Sequence, residues 1–202
     1  IAYRQQHETR IAAVEKVALP TRFGMFDLHL FQGQNDGREH LALVYGEVHG
    51  RDDVLVRIHS ECMTGDIFGS LRCDCGQQLH RSMEMVVGNG RGVIVYLRQE
   101  GRGIGLTAKL QAYRLQDRGL DTVEANLRLG YPADMREYGL AGDILRLLGV
   151  QGVRLLTNNP EKVRGVEAAG LAVRERIPII IPPCDFNARY LAAKREKFQH
   201  LI

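Results

Sequence analysis

Between Arg57 and Gln78 the chain reads R-I-H-S-E-C-M-T-G-D-I-F-G-S-L-R-C-D-C-G-Q-Q, which sets Cys62, Cys73 and Cys75 at the spacing C-x10-C-x-C. Thiolates are good zinc ligands, and three of them leave a fourth tetrahedral position for water, as in catalytic zinc sites. A closed structural site completed by His59 or His80 is the competing arrangement, and simple buried thiols are a third. The C-x-C step is tighter than the C-x2-4-C knuckle of structural sites, which favours the open arrangement. His59-Ser60-Glu61 also matches the H-x-E half of the zinc deaminase signature, but the P-C-x-x-C half is missing. The chemical parallel survives that failure. A metal that lowers the pKa of water towards ~7, next to a carboxylate, allows attack on an electron-poor ring carbon. Cys184, far away after Pro182 and Pro183, reads as a bystander.

Two further stretches suit anions. Arg98-Gln99-Glu100-Gly101-Arg102-Gly103-Ile104-Gly105 falls between a strand-like and a helix-like segment. Glycines there let backbone approach a ligand, and helix N-terminal amides with Arg98 and Arg102 favour negative charge. The stretch is neither a Walker loop nor a Rossmann fingerprint, and by itself a glycine-rich turn is usually only a turn. Thr157-Asn158-Asn159-Pro160-Glu161-Lys162 repeats the arrangement at the carboxyl end of another strand, where open α/β sheets bind ligands. Lys162 in a first helical turn runs against the helix dipole, so it implies either a nearby anion or a solvated side chain. Asp134 and Arg136, two apart, are by themselves an ordinary surface pair. Taken together, these segments point to a zinc hydrolase acting on a nucleotide.

The elements that must position these residues follow from periodicity. The stretch around Ile11, Val14 and Val17 reads as a short strand stopping at Pro20, after a polar lead-in that gives residues 1–18 a linker-like character. Strands follow near Phe26–Phe31, Leu41–Val48 and Val54–Ile58, separated by Gly-, Asn- and Asp-containing turns. Gln77–Val87 has helical spacing. Gly92–Leu97 reads as a buried strand, and the helix after the glycine-rich turn presents Leu106, Leu110 and Tyr113 on one face. Leu140, Ile144, Leu147 and Leu148 predict another helix, and Val153–Leu156 another strand. Pro160 opens a helix that Gly170 closes. Two short strands near Val173 and Ile177–Ile181 and a charged helix from about Asn187 complete the chain. The fold class is mixed α/β: a mainly antiparallel N-terminal part, then strand–helix alternation with a partly parallel sheet. Residues 19–202 read as a single catalytic domain.

At 202 residues, 45% hydrophobic and 25% charged, the chain has ordinary globular composition and enough length for a real core. No apolar run approaches the ~18 residues of a membrane span, and no signal-peptide pattern opens it, so it reads as cytoplasmic. In that compartment clustered cysteines favour metal or catalysis over disulfides. A net charge of +3 is too small to argue for nucleic acid, but 22 of the 27 basic residues are arginine, whose planar fork suits phosphate. A GC-rich genome explains that total equally well. The chain begins at Ile1 without methionine, and reads as a processed, trimmed or excised piece of something longer.

The assembled segments resemble GTP cyclohydrolase II, from Pro20 to Leu201. The resemblance rests on R-I-H-S-E-C-M-T-G-D-I-F-G-S-L-R-C-D-C-G, R-Q-E-G-R-G-I-G-L, D-T-V-E-A-N-L-R-L-G and R-L-L-T-N-N-P-E-K. It implies one zinc on Cys62, Cys73 and Cys75. It implies GTP contacts from Arg57, Ile58, His59, Ser60, Glu61, Gln78, Glu100, Gly101, Arg102, Thr122, Thr157 and Lys162, with Mg2+ on the phosphates. Asp134 matches a proton acceptor, Arg136 a nucleophile and Tyr113 an active-site tyrosine. Arginine stays protonated in proteins, with a pKa above ~12, so an electrostatic clamp is the physical alternative for Arg136. The implied reaction converts GTP to 2,5-diamino-6-ribosylamino-4(3H)-pyrimidinone 5′-phosphate, formate and pyrophosphate, and the family implies a homodimer. Ile1–Glu8 resembles the segment that joins an upstream 3,4-dihydroxy-2-butanone 4-phosphate synthase to the cyclohydrolase in bifunctional proteins. Two other readings are a zinc nucleotide deaminase or hydrolase and a non-catalytic zinc module that binds nucleotide. Neither nucleic acid nor a membrane is expected as a partner.

Overall fold

Residues 10–201 are described in a computed structural model, so the expectations for Ile1–Glu8 lie outside the described residues. Seven strands form one sheet: β1 (Ile11–Thr21), β2 (Gly24–Gly33), β3 (Glu39–Tyr45), β4 (Val54–Ser60), β5 (Gly92–Leu97), β6 (Gly152–Leu156) and β7 (Ala172–Ile177). Their order across the sheet is β1-β2-β3-β5-β4-β6-β7. The β1–β2, β2–β3 and β3–β5 pairs are antiparallel, and β5–β4, β4–β6 and β6–β7 are parallel. The expected division into an antiparallel first part and a parallel second part is therefore real, and β5 is its seam.

Around the sheet run α1 (Met63–Asp66), α2 (Cys75–Gly88), α3 (Gly105–Gln116), α4 (Thr122–Arg128), α5 (Gly139–Leu147), α6 (Pro160–Ala168) and α7 (Ala188–Phe198), with a 3-10 turn at Glu100–Gly103. None of these helices is long and apolar enough to cross a membrane. The central strand β4 is buried on both faces, as a parallel strand covered by helices must be. Val54, Val56 and Ile58 point to one face, with Val93, Val95, Val153 and Leu155, under Ile144 and Leu145 of α5 and Val166 of α6. Leu55 points to the other, with Ile94 and Leu156, under Met83 and Val86 of α2. Burying each such aliphatic side chain contributes about 1.5–3 kcal/mol. On that second face β4 begins apolar and ends polar, because Arg57 and His59 follow Leu55 at period two. Motif residues thus follow the carboxyl ends of three adjacent parallel strands, β5, β4 and β6.

Several local expectations change. The first strand is 11 residues long, runs through Pro20 to Thr21, and carries the 18/19 boundary inside it. Proline is tolerated there because β1 is an edge strand. The expected strand at Ile177–Ile181 does not form, and Ala172–Ile177 is a single strand. Pro178, Pro182 and Pro183 lack ladder donors, and the Asn158 side chain takes both backbone groups of Ile179, at 2.9 and 2.7 Å. In α3 the buried face is Ala108, Lys109 and Ala112, and Leu110 is exposed. In α5, Ile144 lies in the core as expected, but its buried partners are Ala141 and Leu145 rather than Leu147. Helix α4 is not among the expected elements; its start is fixed by a capping box, in which Asp121 accepts from the Val123 and Glu124 amides while Glu124 reaches back.

Candidate active site

The three thiols come from two chain ends. Cys62 follows β4 and caps α1, while Cys73 and Cys75 straddle the start of α2. Their Sγ atoms all lie within 4.8 Å of one another, and Cys62 Sγ is 3.6 Å from Cys73 Sγ. Zn–S bonds of about 2.3 Å in tetrahedral geometry would place sulfurs about 3.8 Å apart, so the group fits zinc. Glycines make that approach possible. A Cβ on Gly65 would fall 2.9 Å from Cys73 Sγ and 3.3 Å from Cys62 Sγ, and one on Gly76 2.2 Å from the Gly65 carbonyl oxygen.

Neither histidine completes the group. His59 Nε2 bonds to Asp66 Oδ1 at 3.0 Å and its ring stacks on Tyr96 at 5.5 Å, while His80 sits with Arg22 and Phe23. Asp66 also accepts from the Cys62 amide at 2.9 Å and the Tyr96 hydroxyl at 3.0 Å, which fixes the loop backbone under the thiols. Among the described residues, the thiol group therefore lacks a fourth protein ligand. S–H donors from Cys73 and Cys75, and the Lys109 ammonium 3.2 Å away, hold the Cys62 thiol well below its ordinary range. The Cys62 thiolate in turn pushes Cys73 and Cys75 up.

A cleft opens on the thiols, lined also by Ser60, Glu61, Glu100, Gly101, Arg102, Tyr113, Thr122 and Arg136. Burial raises the Glu61 carboxyl above its usual value, although Arg98 opposes it, which suits a carboxyl next to Cys62 to proton transfer. The Tyr113 hydroxyl shares a 3.2 Å hydrogen bond with Thr64 Oγ1. Glu100 is fully engaged: Oε1 accepts from Lys109 Nζ at 2.8 Å and Gly101 N at 2.7 Å, and Oε2 accepts from Met63 N at 2.7 Å. The turn is strained, because Arg102 follows Gly101 into the left-handed region at φ +61°. Both Arg102 Nη atoms are buried without a partner.

A second cavity adjoins the first and shares Ser60, Cys75, Arg136 and Tyr190 with it. It gathers Arg57, His59, Gln78, Thr157 and Lys162, together with Lys194 and His200. Arg57 donates to Leu156 O at 3.1 Å and Gln78 Oε1 at 2.5 Å, and its Nε is unpartnered. Lys162 is not a solvated lysine. It is buried, and Nζ donates to Ile58 O at 2.8 Å. Burial, then Arg57, Arg136 and Lys194, pull its pKa well below the ordinary lysine value. Among the described residues no carboxylate lines this cavity; Asp74 accepts from Lys194 Nζ and Gln78 Nε2 at 2.6 Å each, and Asp66 and Asp134 are taken up by His59 and Arg136. The cavity is short of negative charge.

Ile58 contributes its carbonyl, while its side chain belongs to the core. Asp134 lines neither cavity; it grips Arg136 through two oxygens, with Nε at 2.9 Å from Oδ1 and a second, shorter contact from Nη2 to Oδ2. Burial works against charge on both. Arg136 nevertheless holds Asp134 below the carboxylate range, and Tyr138 and Asp134 hold Arg136 above the usual arginine value. Arg136 stands at the junction of the two cavities. Sequence reasoning missed Lys109, Asp74, Tyr190, Lys194 and His200. Asp74 lay in plain view as the middle of C-D-C, whereas Tyr190, Lys194 and His200 belong to a charged terminal segment with no motif.

A family model described as GTP cyclohydrolase II matches residues 12–178. A riboflavin biosynthesis protein RibBA from Bacillus mycoides (strain KBAB4) is 52% identical over all 202 residues, as is one from Bacillus cereus (strain AH187). The chain spans 51% of the length of each of these curated relatives. A solved structure of RibBX, a two-domain 3,4-dihydroxy-2-butanone 4-phosphate synthase from A. baumannii, superposes with a TM-score of 0.49 at 20% identity, covering 90% of this chain and 43% of that one.

Proposed function

This chain belongs to the GTP cyclohydrolase II family, and from that premise we propose that it is the zinc enzyme that opens the imidazole ring of GTP. The products are formate, pyrophosphate and 2,5-diamino-6-ribosylamino-4(3H)-pyrimidinone 5′-phosphate, in the first step of riboflavin biosynthesis. The observation that carries this reading is the pairing of two joined cavities, one with three thiols beside Glu61, the other with buried cations in excess of carboxylates. A purine belongs in the first and a polyphosphate in the second.

Cys62, Cys73 and Cys75 would hold the zinc, which when bound supplies a Lewis acid able to bring water's pKa towards ~7. Glu61 takes and returns the proton as the ring opens, since burial leaves its carboxyl raised. Tyr113, steadied by Thr64, and Thr122 at the start of α4 border the base. Arg57, Lys162, Thr157 and Gln78 receive phosphate oxygens in the second cavity and Arg102 one that reaches the first, with Mg2+ taking those that face solvent. At the α-phosphorus Arg136 acts as an electrostatic clamp, aimed by Asp134, because a guanidinium held above its ordinary pKa is a poor nucleophile. The residues act as one cytoplasmic catalytic domain that takes in the whole of β1, working as a homodimer with a 3,4-dihydroxy-2-butanone 4-phosphate synthase fused upstream.

Incubation with GTP and Mg2+, following formate, pyrophosphate and the pyrimidine chromophore together, tests the reading. All three are expected at equal yield. Ammonia without formate would identify a deaminase, and GTP binding without turnover a non-catalytic module. Cys73→Ser is expected to abolish both zinc content and formate release; an active, zinc-free variant would overturn the metal mechanism.

A further inference from the structure

Lys109 belongs to none of the motifs above, yet it stands where the thiol group and the Glu100–Gly103 turn meet. It lies on the buried face of α3 beside Ala108 and Ala112, and only 8% of it is exposed. Its Nζ donates to Cys62 Sγ at 3.2 Å and to Glu100 Oε1 at 2.8 Å. The turn is folded around its stem, since a Cβ on Gly101 would fall 3.1 Å from Lys109 Cβ. A buried charge is strongly unfavourable unless well paired, so a lysine between two alanines calls for a reason.

We propose that Lys109 is a positioning residue for the metal centre. Its N–H···S bond withdraws electron density from the Cys62 thiolate, and its bond to Glu100 fixes the neighbouring turn against the same sulfur. The inference rests on the reading that the thiols hold zinc. Three thiolates bring more negative charge than a divalent cation carries, and such a centre is a weak Lewis acid. A hydrogen bond to a ligand sulfur reduces that donation, as outer-shell partners of metal sites do. The bland alternative is an ion pair with Glu100 that merely anchors α3. The two differ in what the sulfur feels.

The test uses the full chain loaded with zinc or with Co2+, whose sulfur-to-metal charge-transfer absorption reports thiolate donation. Lys109→Met keeps the apolar stem and removes the donor. The band is expected to move to lower energy, zinc affinity by chelator competition to fall about 10–100-fold, and kcat to fall more than KM rises. Lys109→Arg, which keeps charge and N–H donors, is expected to return the band towards its original position. Glu100→Gln breaks the ion pair but leaves Lys109 on Cys62, and is expected to leave the band in place. A folded Lys109→Met protein with unchanged band and affinity overturns the proposal. So does a Glu100→Gln band that moves as far as that of Lys109→Met, which would make Lys109 an anchor only. Should Lys109→Met fail to fold, Lys109→Gln is read by the same band. Unaltered protein that takes up neither metal would instead refute the zinc reading itself.

Discussion

The guanidinium of Arg102 lies 4.2 Å from the ring centre of Phe198, with both terminal nitrogens buried and unpartnered. Phe198 comes from the last turn of α7, so the end of the chain covers a cation that the glycine-rich turn aims inward. Two costs meet at one residue. A non-glycine residue at φ +61° is strained by about 1–3 kcal/mol, and a buried donor without an acceptor adds a desolvation penalty. Both are offset when an anion reaches the two nitrogens. Arg102→Met is therefore expected to lower kcat/KM for GTP at least tenfold, since charge-assisted hydrogen bonds contribute about 1.5–3 kcal/mol. Its thermal midpoint should hold or rise. Full activity in a less stable variant would mean that Arg102 serves the fold rather than the substrate.

Arg136 and Asp134 make the second prediction. The guanidinium is gripped at two oxygens and held protonated, so its contribution is charge and geometry. Arg136→Ala is expected to fold and retain zinc while turnover drops by two orders of magnitude or more, as for loss of one oxyanion-stabilising donor (about 2.7–4 kcal/mol). Mass spectrometry under single-turnover conditions should find no phosphoguanylyl adduct on Arg136 in the unaltered protein. A trapped adduct would restore the nucleophile role; a near-normal rate in the alanine variant would remove Arg136 from the catalytic set.

Much of this was legible in the sequence because strong local rules coincided. Gly92–Leu97 was readable to the residue, since a run of V-I-V between glycine and a polar turn has few alternatives. The cysteine spacing picked out three thiols that the fold gathers within 4.8 Å, a group that could hold a metal ion. Where reading failed, distant partners decided the outcome. Lys162 read as either facing an anion or solvated, and what buries it is the Ile58 carbonyl, 104 residues earlier, on its Nζ. Leu110 fits a helical stripe with Leu106 and Tyr113, but α3 turns its alanines and Lys109 towards the thiols, and periodicity cannot tell which face a functional cluster will claim. The Asp74–Lys194 pair closes a loop of 120 residues, and nothing local marks either end.

Gly65 gives a third prediction, about packing rather than charge. Gly65→Ala places a methyl 2.9 Å from Cys73 Sγ and 3.3 Å from both Cys62 Sγ and Cys75 Cβ. The thiols must move apart, because α1 is held from behind by Asp66 bonds to Cys62 N and Tyr96. Overpacking a close contact typically costs about 1–3 kcal/mol, too little to unfold an ordinary domain. The expected outcome is a folded protein with unchanged far-ultraviolet circular dichroism, depleted zinc and little formate release. Retention of a full zinc complement would show that the thiol cradle is softer than its contacts imply.

The last prediction concerns acid. Burial, followed by Lys194, Arg136, Lys162 and Arg102, depresses the His200 pKa to about 3. In the unfolded chain an imidazole titrates near ~6.5. Between those values the unfolded state binds the extra proton, so stability rises with pH across the window and is lost as pH falls from about 6.5 towards 3. His59, His40 and His29 are shifted in the same direction, burial being the first cause in each, so His200 must be isolated by substitution. His200→Gln is expected to lose less stability than the unaltered chain between pH 7.5 and pH 5, measured as the urea midpoint of zinc-stripped protein. Inorganic triphosphate should flatten the unaltered protein's profile as well, because an anion among Arg57, Lys162 and Lys194 relieves the repulsion that keeps His200 neutral. Equal pH slopes for the two proteins would show that the cations of the second cavity do not bear on His200.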